Sequence, residues 1–192
     1  MREPHWKSYI VTTSEPVLTP QQCDEFIRIG KNAKIKRNFV TASPTSGHRA
    51  CNISWVPFEE ITSIYQIIKD KMEVINNNYF GFDNIELFEP GQYTEYHKGG
   101  FYNWHIDHDV KMKAMPVVRK MSMTLLLNDP KDFEGGDLEI FCSETLDSKN
   151  NKVSFKQGHA VFFASFLLHR VIPITEGNRK ALVMWFSGTP LR

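Results

Sequence analysis

A change of texture at Gly81 constrains this chain more than any other feature. Beyond it come short runs rich in β-branched and aromatic residues, at 85–88, 92–96, 121–127, 138–141, 160–164 and 181–186. Turn signals separate them: Pro90-Gly91, Gly99-Gly100, Asn128-Asp129-Pro130, Gly135-Gly136 and Gln157-Gly158. Many short strands so spaced predict a double-sheet roll or barrel, architectures that limit exposed strand edges. Gly135-Gly136 reads as a hairpin turn.

The first third reads differently. Thr19-Pro20-Gln21-Gln22 places a capping hydroxyl before a proline, with a glutamine three residues after the cap. A helix is expected through Phe26, Ile27 and Ile29, fraying across 30–37. Lys31, Lys34, Lys36 and Arg37 there read as a solvated helix end facing the negative dipole terminus, with a basic contact surface as the alternative. Residues 39–46 read as a loop or short strand, and 52–56 as a strand. From Pro57, the positions Phe58, Ile61, Ile64, Tyr65, Ile68, Met72 and Ile75 recur at helical spacing, predicting one long amphipathic helix ending near Asn76-Asn77-Asn78. The expectation is an α+β fold in one domain over 1–192. Two N-terminal helices (lead-in about 18–80) would pack on one face of a β core (about 85–188).

Composition removes several function classes. Hydrophobic residues at 41% and charged residues at 23% exclude a disordered or collagen-like chain. A net charge of +1 gives no global pull towards nucleic acid or anionic membrane, so a nucleic-acid substrate is disfavoured. No apolar run is long enough to span a bilayer, and residues 1–7 lack the apolar core of a signal peptide. Cys23, Cys51 and Cys142 are too few and too widely spaced for a disulfide framework or a cysteine-rich zinc site. A cytoplasmic protein without a membrane partner is expected, and its oligomeric state is left open.

Asn103-Trp104-His105-Ile106-Asp107 carries the chemistry. On a strand, residues 105 and 107 leave from one face, and an imidazole with a carboxylate can ligate one divalent cation. The pair supplies two of the three ligands of a facial triad, and His169 is the best candidate for the third. Arg179 follows His169 by ten residues, at the start of the last apolar strand. Its planar guanidinium suits a bidentate grip on a carboxylate. It would share a face with Ala181, Val183 and Trp185, whereas Lys180 lies on the other. Parity alone does not choose between the two cations; the fork geometry favours Arg179.

Taken together, residues 96–107, Met121-Ser122-Met123-Thr124-Leu125-Leu126-Leu127-Asn128, Phe133-Glu134-Gly135-Gly136-Asp137-Leu138, Leu168-His169-Arg170-Val171, Arg179 and Trp185 resemble the iron(II)- and 2-oxoglutarate-dependent dioxygenases. Within these the chain is most similar to the prolyl-4-hydroxylase-like domain, bacterial and phage PKHD-type hydroxylases included. The resemblance covers roughly 85–188 in order, with 18–79 a looser match. It implies a double-stranded β-helix (jelly-roll) core, Fe(II) held by His105, Asp107 and His169, and 2-oxoglutarate held by Arg179 and Tyr96. It further implies Tyr102 and Trp185 at the substrate entrance, O2 as the oxidant and ascorbate as a candidate accessory reductant. The implied reaction hydroxylates a C–H bond, of a prolyl or other peptide side chain, while 2-oxoglutarate loses CO2 to become succinate. Strict alternation puts Asn103 rather than Tyr102 on the face of His105, so Tyr102 needs a bend to reach the pocket.

Competing readings accompany each residue. His108 reads as surface and His97 as a loop residue; His5, His48 and His159 read as surface or turn residues. Trp55 and Trp104 are expected in the core. Of the alternating Met121/Met123 and Ser122/Thr124, one pair should pack and the other line the pocket. Residues 111–119 form either a substrate lid or a solvated connection. A cupin-like metal enzyme without 2-oxoglutarate and a non-catalytic jelly-roll binding module are the rival functions. A free small molecule is the rival substrate to a peptide or protein.

Overall fold

The computed structural model of the chain describes residues 8–34, 47–108, 117–141 and 152–189, and the backbone alone of 36–39. His5, Cys142 and residues 111–116 of the expected lid lie outside the described residues. Strand β1 (Ile10–Thr12) leads into helix α1 (Pro20–Asn32). There the Thr19 hydroxyl accepts the Gln22 N–H at 3.3 Å and Gln22 Oε1 accepts the Thr19 N–H at 2.9 Å, the reciprocal cap the sequence encodes. The helix stops at Asn32 rather than fraying to 37. Lys36 and Arg37 belong instead to β2 (Lys36–Phe39), which pairs with β3 (Arg49–Val56).

The expected single helix from Pro57 is broken. Residues Phe58–Glu60 form a 3-10 turn, Ile61 adopts φ −158° and ψ 57°, and α2 runs from Thr62 to Ile75. The apolar stripe crosses the break because the Phe58 ring packs edge-on against Tyr65, with centroids 4.8 Å apart. A π-helical turn, Asn76–Phe80, then ends at Gly81 in the left-handed region, whose N–H reaches the Asn76 carbonyl at 2.7 Å.

The remaining strands are β4 (Gly91–Tyr96), β5 (Phe101–His105), β6 (Val118–Leu126), β7 (Phe133–Gly135), β8 (Leu138–Ile140), β9 (Lys152–Val153), β10 (Ala160–Ala164), β11 (His169–Val171), β12 (Ile174–Gly177) and β13 (Arg179–Gly188). The expected strand at 85–88 reduces to one bridge between Glu86 and Ser187. Among the described residues, eleven strands form a single curled, antiparallel sheet. One wall has the order β1-β10-β6-β13-β4-β3 and the other β3-β5-β11-β8-β9, with β2 on β3. Strand β3 turns the corner, pairing with β4 through 52–56 and with β5 through 49–50. This nearly closed double wall is a jelly-roll core. Gly135-Gly136 is not a hairpin turn. β7 pairs with β12 and β8 with β11 and β9, so the two glycines, at φ 73° and 67°, carry the chain from a small ribbon into the roll.

Alternation sorts the first wall's residues. Met121, Met123, Leu125, Phe162, Leu182, Met184 and Phe186 join Phe26 of α1 and Ile64, Ile68 and Met72 of α2 in one buried cluster. The opposite face of the same strands points into the roll, where Val161, Phe163 and Tyr96 meet Leu138, Ile140 and Val171 of the second wall. Among the described residues no helix is long and apolar enough to cross a membrane.

Candidate active site

A cavity of about 260 Å³ opens between the two walls. All seven residues singled out in the sequence line it: Tyr96, Tyr102, His105, Asp107, His169, Arg179 and Trp185. β5 ends at His105, and Asp107 follows in a bend rather than on the strand as expected. The backbone N–H of Asp107 donates to the Ser165 carbonyl at 2.9 Å, which turns its carboxylate back towards the roll. Register then completes the cluster, because β11 pairs antiparallel to β5 with His169 directly opposite His105.

The candidate ligand atoms of His105, Asp107 and His169 lie within 4.8 Å of one another. His105 Nε2 is 3.7 Å from Asp107 Oδ1, and His169 Nε2 is 3.4 Å from Asp107 Oδ2. Each imidazole is oriented by its other nitrogen. His105 Nδ1 lies 2.7 Å from the Asn103 carbonyl and His169 Nδ1 lies 2.9 Å from the Leu167 carbonyl. A carbonyl accepts only, so both Nδ1 atoms carry the proton and both Nε2 lone pairs face Asp107, the arrangement a metal-binding histidine requires. Ser122 Oγ donates to Asp107 Oδ2 at 2.7 Å and also lies 2.9 Å from Ser165 Oγ.

The electrostatics agree with that geometry. Burial and the neighbouring His169 lower the pKa of His105 to about 3, so its ring is neutral at pH 7. Burial pushes the Asp107 carboxyl up, but His169, His105 and the Ser122 hydroxyl outweigh it and hold it below its usual value. Two imidazoles whose Nε2 atoms converge on one carboxylate, leaving coordination positions open, suit a non-heme Fe(II) centre.

Arg179 starts β13 and is 2% exposed. Its Nη2 is buried without a hydrogen-bond partner among the described residues, and its Cζ lies 5.7 Å from the Tyr96 ring centroid. Burial pulls its pKa down, though a guanidinium keeps its proton at neutral pH. An orphaned donor in a cavity that also holds a ligand cluster fits a carboxylate of a small diacid. The adjacent Lys180 does not line this cavity, so of the two cations it is Arg179 that faces it.

The bend Tyr102 needs is present. Between β11 and β5 the register runs His169↔His105 and then Val171↔Tyr102, so β5 holds one extra residue in a bulge. That residue shifts Tyr102 to the His105 face, where the two rings stack with centroids 3.5 Å apart. Ser122 and Thr124 face inwards, while Met121 and Met123 are fully buried in the helix-side cluster.

Several lining residues escaped the sequence reading. Arg119, expected in the lid or connection, is on β6; its guanidinium lies 3.8 Å over the Trp185 ring. Its Nε donates to Glu89 Oε1 at 2.6 Å and its Nη2 to Glu89 Oε2. Arg49 lines the cavity 4.4 Å over the Tyr102 ring and donates to Gln92 Oε1 at 2.9 Å. These groups are 30 and 43 residues from their partners, so no local spacing announces them. Trp55, half-buried, lines the cavity as well as packing against the inner cluster, and His108 is half-buried against the Arg119 carbonyl rather than on the surface. Exposed His48 lies edge-on to Tyr102, with centroids 5.2 Å apart.

Residues 91–187 match the model of a family described as the 2OG-Fe(II) oxygenase superfamily. A PKHD-type hydroxylase from Colwellia psychrerythraea is 26% identical over 178 residues, covering 93% of this chain and 78% of that protein. One from Teredinibacter turnerae is 36% identical over 104 residues, 53% of this chain and 44% of the relative. The matched segment likewise spans 43% of a relative from Shewanella. Among solved structures, a viral collagen prolyl hydroxylase from Paramecium Bursaria Chlorella virus-1 superposes with a TM-score of 0.73 at 20% identity, covering 95% of this chain and 97% of that one. A prolyl-4-hydroxylase from Pseudomonas putida gives 0.67 at 22% identity, covering 93% and 91%. These structures share the fold, and the family match, over half of the chain, lies on the strands that carry the cluster. The chain belongs to the 2OG-Fe(II) oxygenase superfamily.

Proposed function

We propose that this protein is an Fe(II)- and 2-oxoglutarate-dependent dioxygenase that hydroxylates a C–H bond of a prolyl or other peptide side chain. The observation that carries the reading is one cavity holding both the His105–Asp107–His169 cluster and the orphaned Arg179 donor. Bound iron(II) would supply the dioxygen chemistry that no side chain can, coupling C–H hydroxylation to conversion of 2-oxoglutarate and O2 into succinate and CO2.

The chain's own residues bind, orient and shield. His105 and His169 present Nε2 lone pairs, Asp107 a carboxylate fixed by Ser122. Arg179, with Tyr96 beside it, takes the far carboxylate of 2-oxoglutarate. Tyr102 and Trp185 form an aromatic wall for the substrate, and the Glu89–Arg119 pair holds a cation against Trp185. At about 260 Å³ the cavity is below the roughly 300–1,000 Å³ usual for drug-sized ligands, which favours small ligands. A peptide substrate is further supported by the collagen prolyl hydroxylase likeness and by a Trichoplax adhaerens prolyl hydroxylase in complex with a hypoxia inducible factor peptide fragment, which gives a TM-score of 0.69. We read the helices and the roll as one domain, with the helices covering the face of the roll opposite the cavity.

The test is succinate formation from 2-oxoglutarate with iron(II) and O2, assayed with proline-containing peptides. Asp107→Ala should abolish turnover in a folded protein, and Arg179→Ala should chiefly raise the 2-oxoglutarate requirement. Undiminished turnover in Asp107→Ala, or a rise confined to Lys180→Ala, would reassign those roles. The cupin-like alternative leaves the buried Arg179 donor without a ligand.

A further inference from the structure

A second cleft, of about 280 Å³, lies behind Arg179. Leu126, Phe133, Gly136, Asp137, Ser154 and Phe155 contribute to its lining, and none of the three candidate metal ligands does. Among the described residues, Arg179 is the one that lines both this cleft and the active-site cavity. Its Cζ lies 5.7 Å from the ring of Tyr96, which belongs to the front cavity, and 5.7 Å from the ring of Phe155, which belongs to the rear cleft. Arg179 therefore stands between the two spaces, with its guanidinium equally distant from one aromatic ring of each. Ser154, on the rear lining, is exposed, so the cleft opens to solvent.

Two features keep this space open and acceptable to an anion. A Cβ on Gly136 would come 2.2 Å from Ile174 Cδ1 and 3.0 Å from Arg179 Cδ, so glycine leaves room where the arginine stem passes. Asp137, the one carboxylate on this lining among the described residues, accepts the Lys152 ammonium at 2.7 Å, which offsets its charge. A carboxylate coming from Ser154 would meet the buried guanidinium before any acidic ligand of the front site.

We propose that the rear cleft is a second opening to the cosubstrate site, through which a small dicarboxylate, 2-oxoglutarate or succinate, exchanges past Arg179 while the front mouth is occupied. A cavity with one mouth would trap succinate behind a bound substrate; a rear opening removes that order of release. The inference rests on the proposed role of Arg179, and exchange rates can fail it while equilibrium binding leaves that role intact.

The test compares 2-oxoglutarate association and dissociation rates in the anaerobic iron(II)-loaded protein by stopped-flow. Four forms are needed: the natural chain, Ser154→Phe to fill the rear cleft, Glu89→Trp to crowd the front mouth, and the double variant. A route contributes equally to both directions, so closing it slows both rates and leaves Kd unchanged. Ser154→Phe in the Glu89→Trp background should lower both rates together by about tenfold or more. Rates that ignore Ser154→Phe in both backgrounds would overturn the proposal and make the cleft a closed rear wall. Ser154→Ala, which removes only a hydroxyl, should exchange at least as fast as the natural chain; slowing there would also contradict a steric passage.

Discussion

At the scale of single residues, the candidate metal site is held by hydrogen bonds as much as by its three ligand side chains. Ser122 fixes Asp107 Oδ2, and two backbone carbonyls fix the imidazoles. Ser122→Ala should weaken iron(II) binding by roughly 10- to 100-fold, the usual effect of removing such a support. Equilibrium dialysis checks this, and unchanged affinity would make the serine incidental. The same residues set an acid limit for the metal-free protein. His105 titrates at about 3 when folded against an ordinary 6.5, and Asp107 also lies below its ordinary value. Between those pH values the unfolded chain binds more protons than the folded one, so stability falls as pH drops from about 6.5 towards about 3. Denaturation midpoints measured across that range without metal should decline, and His105→Gln should flatten the decline. His105 and Asp107 were legible from their two-residue spacing, although Asp107 reaches its place by a bend. Tyr102 was named only through the resemblance, against strict alternation, because a bulge that changes strand parity leaves no mark in the residue types themselves. Arg49, Glu89 and Arg119 were invisible because their partners are distant in sequence.

At the scale of elements, α1 sits unusually close to the roll. A Cβ on Gly30 would fall 2.5 Å from Tyr93 Cγ, and the Gly30 carbonyl accepts Ser54 Oγ at 2.6 Å. Gly30→Ala would gain about 1 kcal/mol of helix propensity. Forcing a methyl against a buried ring typically costs about 1–3 kcal/mol, so the variant should be no more stable than the natural chain and is expected to lose stability. A chemical denaturation midpoint above that of the natural chain would contradict this close approach. Phe26→Ala and Ile68→Ala, at fully buried positions, should each cost about 2–5 kcal/mol. The helix starts and the central strands were readable because caps and periodicity are local signals. The break at Ile61 and the loss of a strand at 85–88 were not. An apolar stripe persists across a 3-10 turn, and a β-branched run becomes a strand only when a neighbour offers a ladder.

For the whole molecule, the two faces of one wall divide the labour. On β13, Leu182, Met184 and Phe186 build the core beneath the helices, while Arg179, Val183 and Trp185 face the cavity. The alternation was legible from sequence. How the walls enclose a shared cavity, and that Arg179 stands between two clefts, depends on β3 crossing from one wall to the other, a tertiary fact that no window of sequence contains. On the proposed function, one cavity binds iron(II) and 2-oxoglutarate together. The most direct test of this is to load the protein anaerobically with iron(II), add 2-oxoglutarate and record the visible metal-to-ligand charge-transfer band. The expected result is a saturable band that needs far more 2-oxoglutarate in Arg179→Ala and is absent in Asp107→Ala. Iron bound without any such band, or a band indifferent to both substitutions, would contradict it.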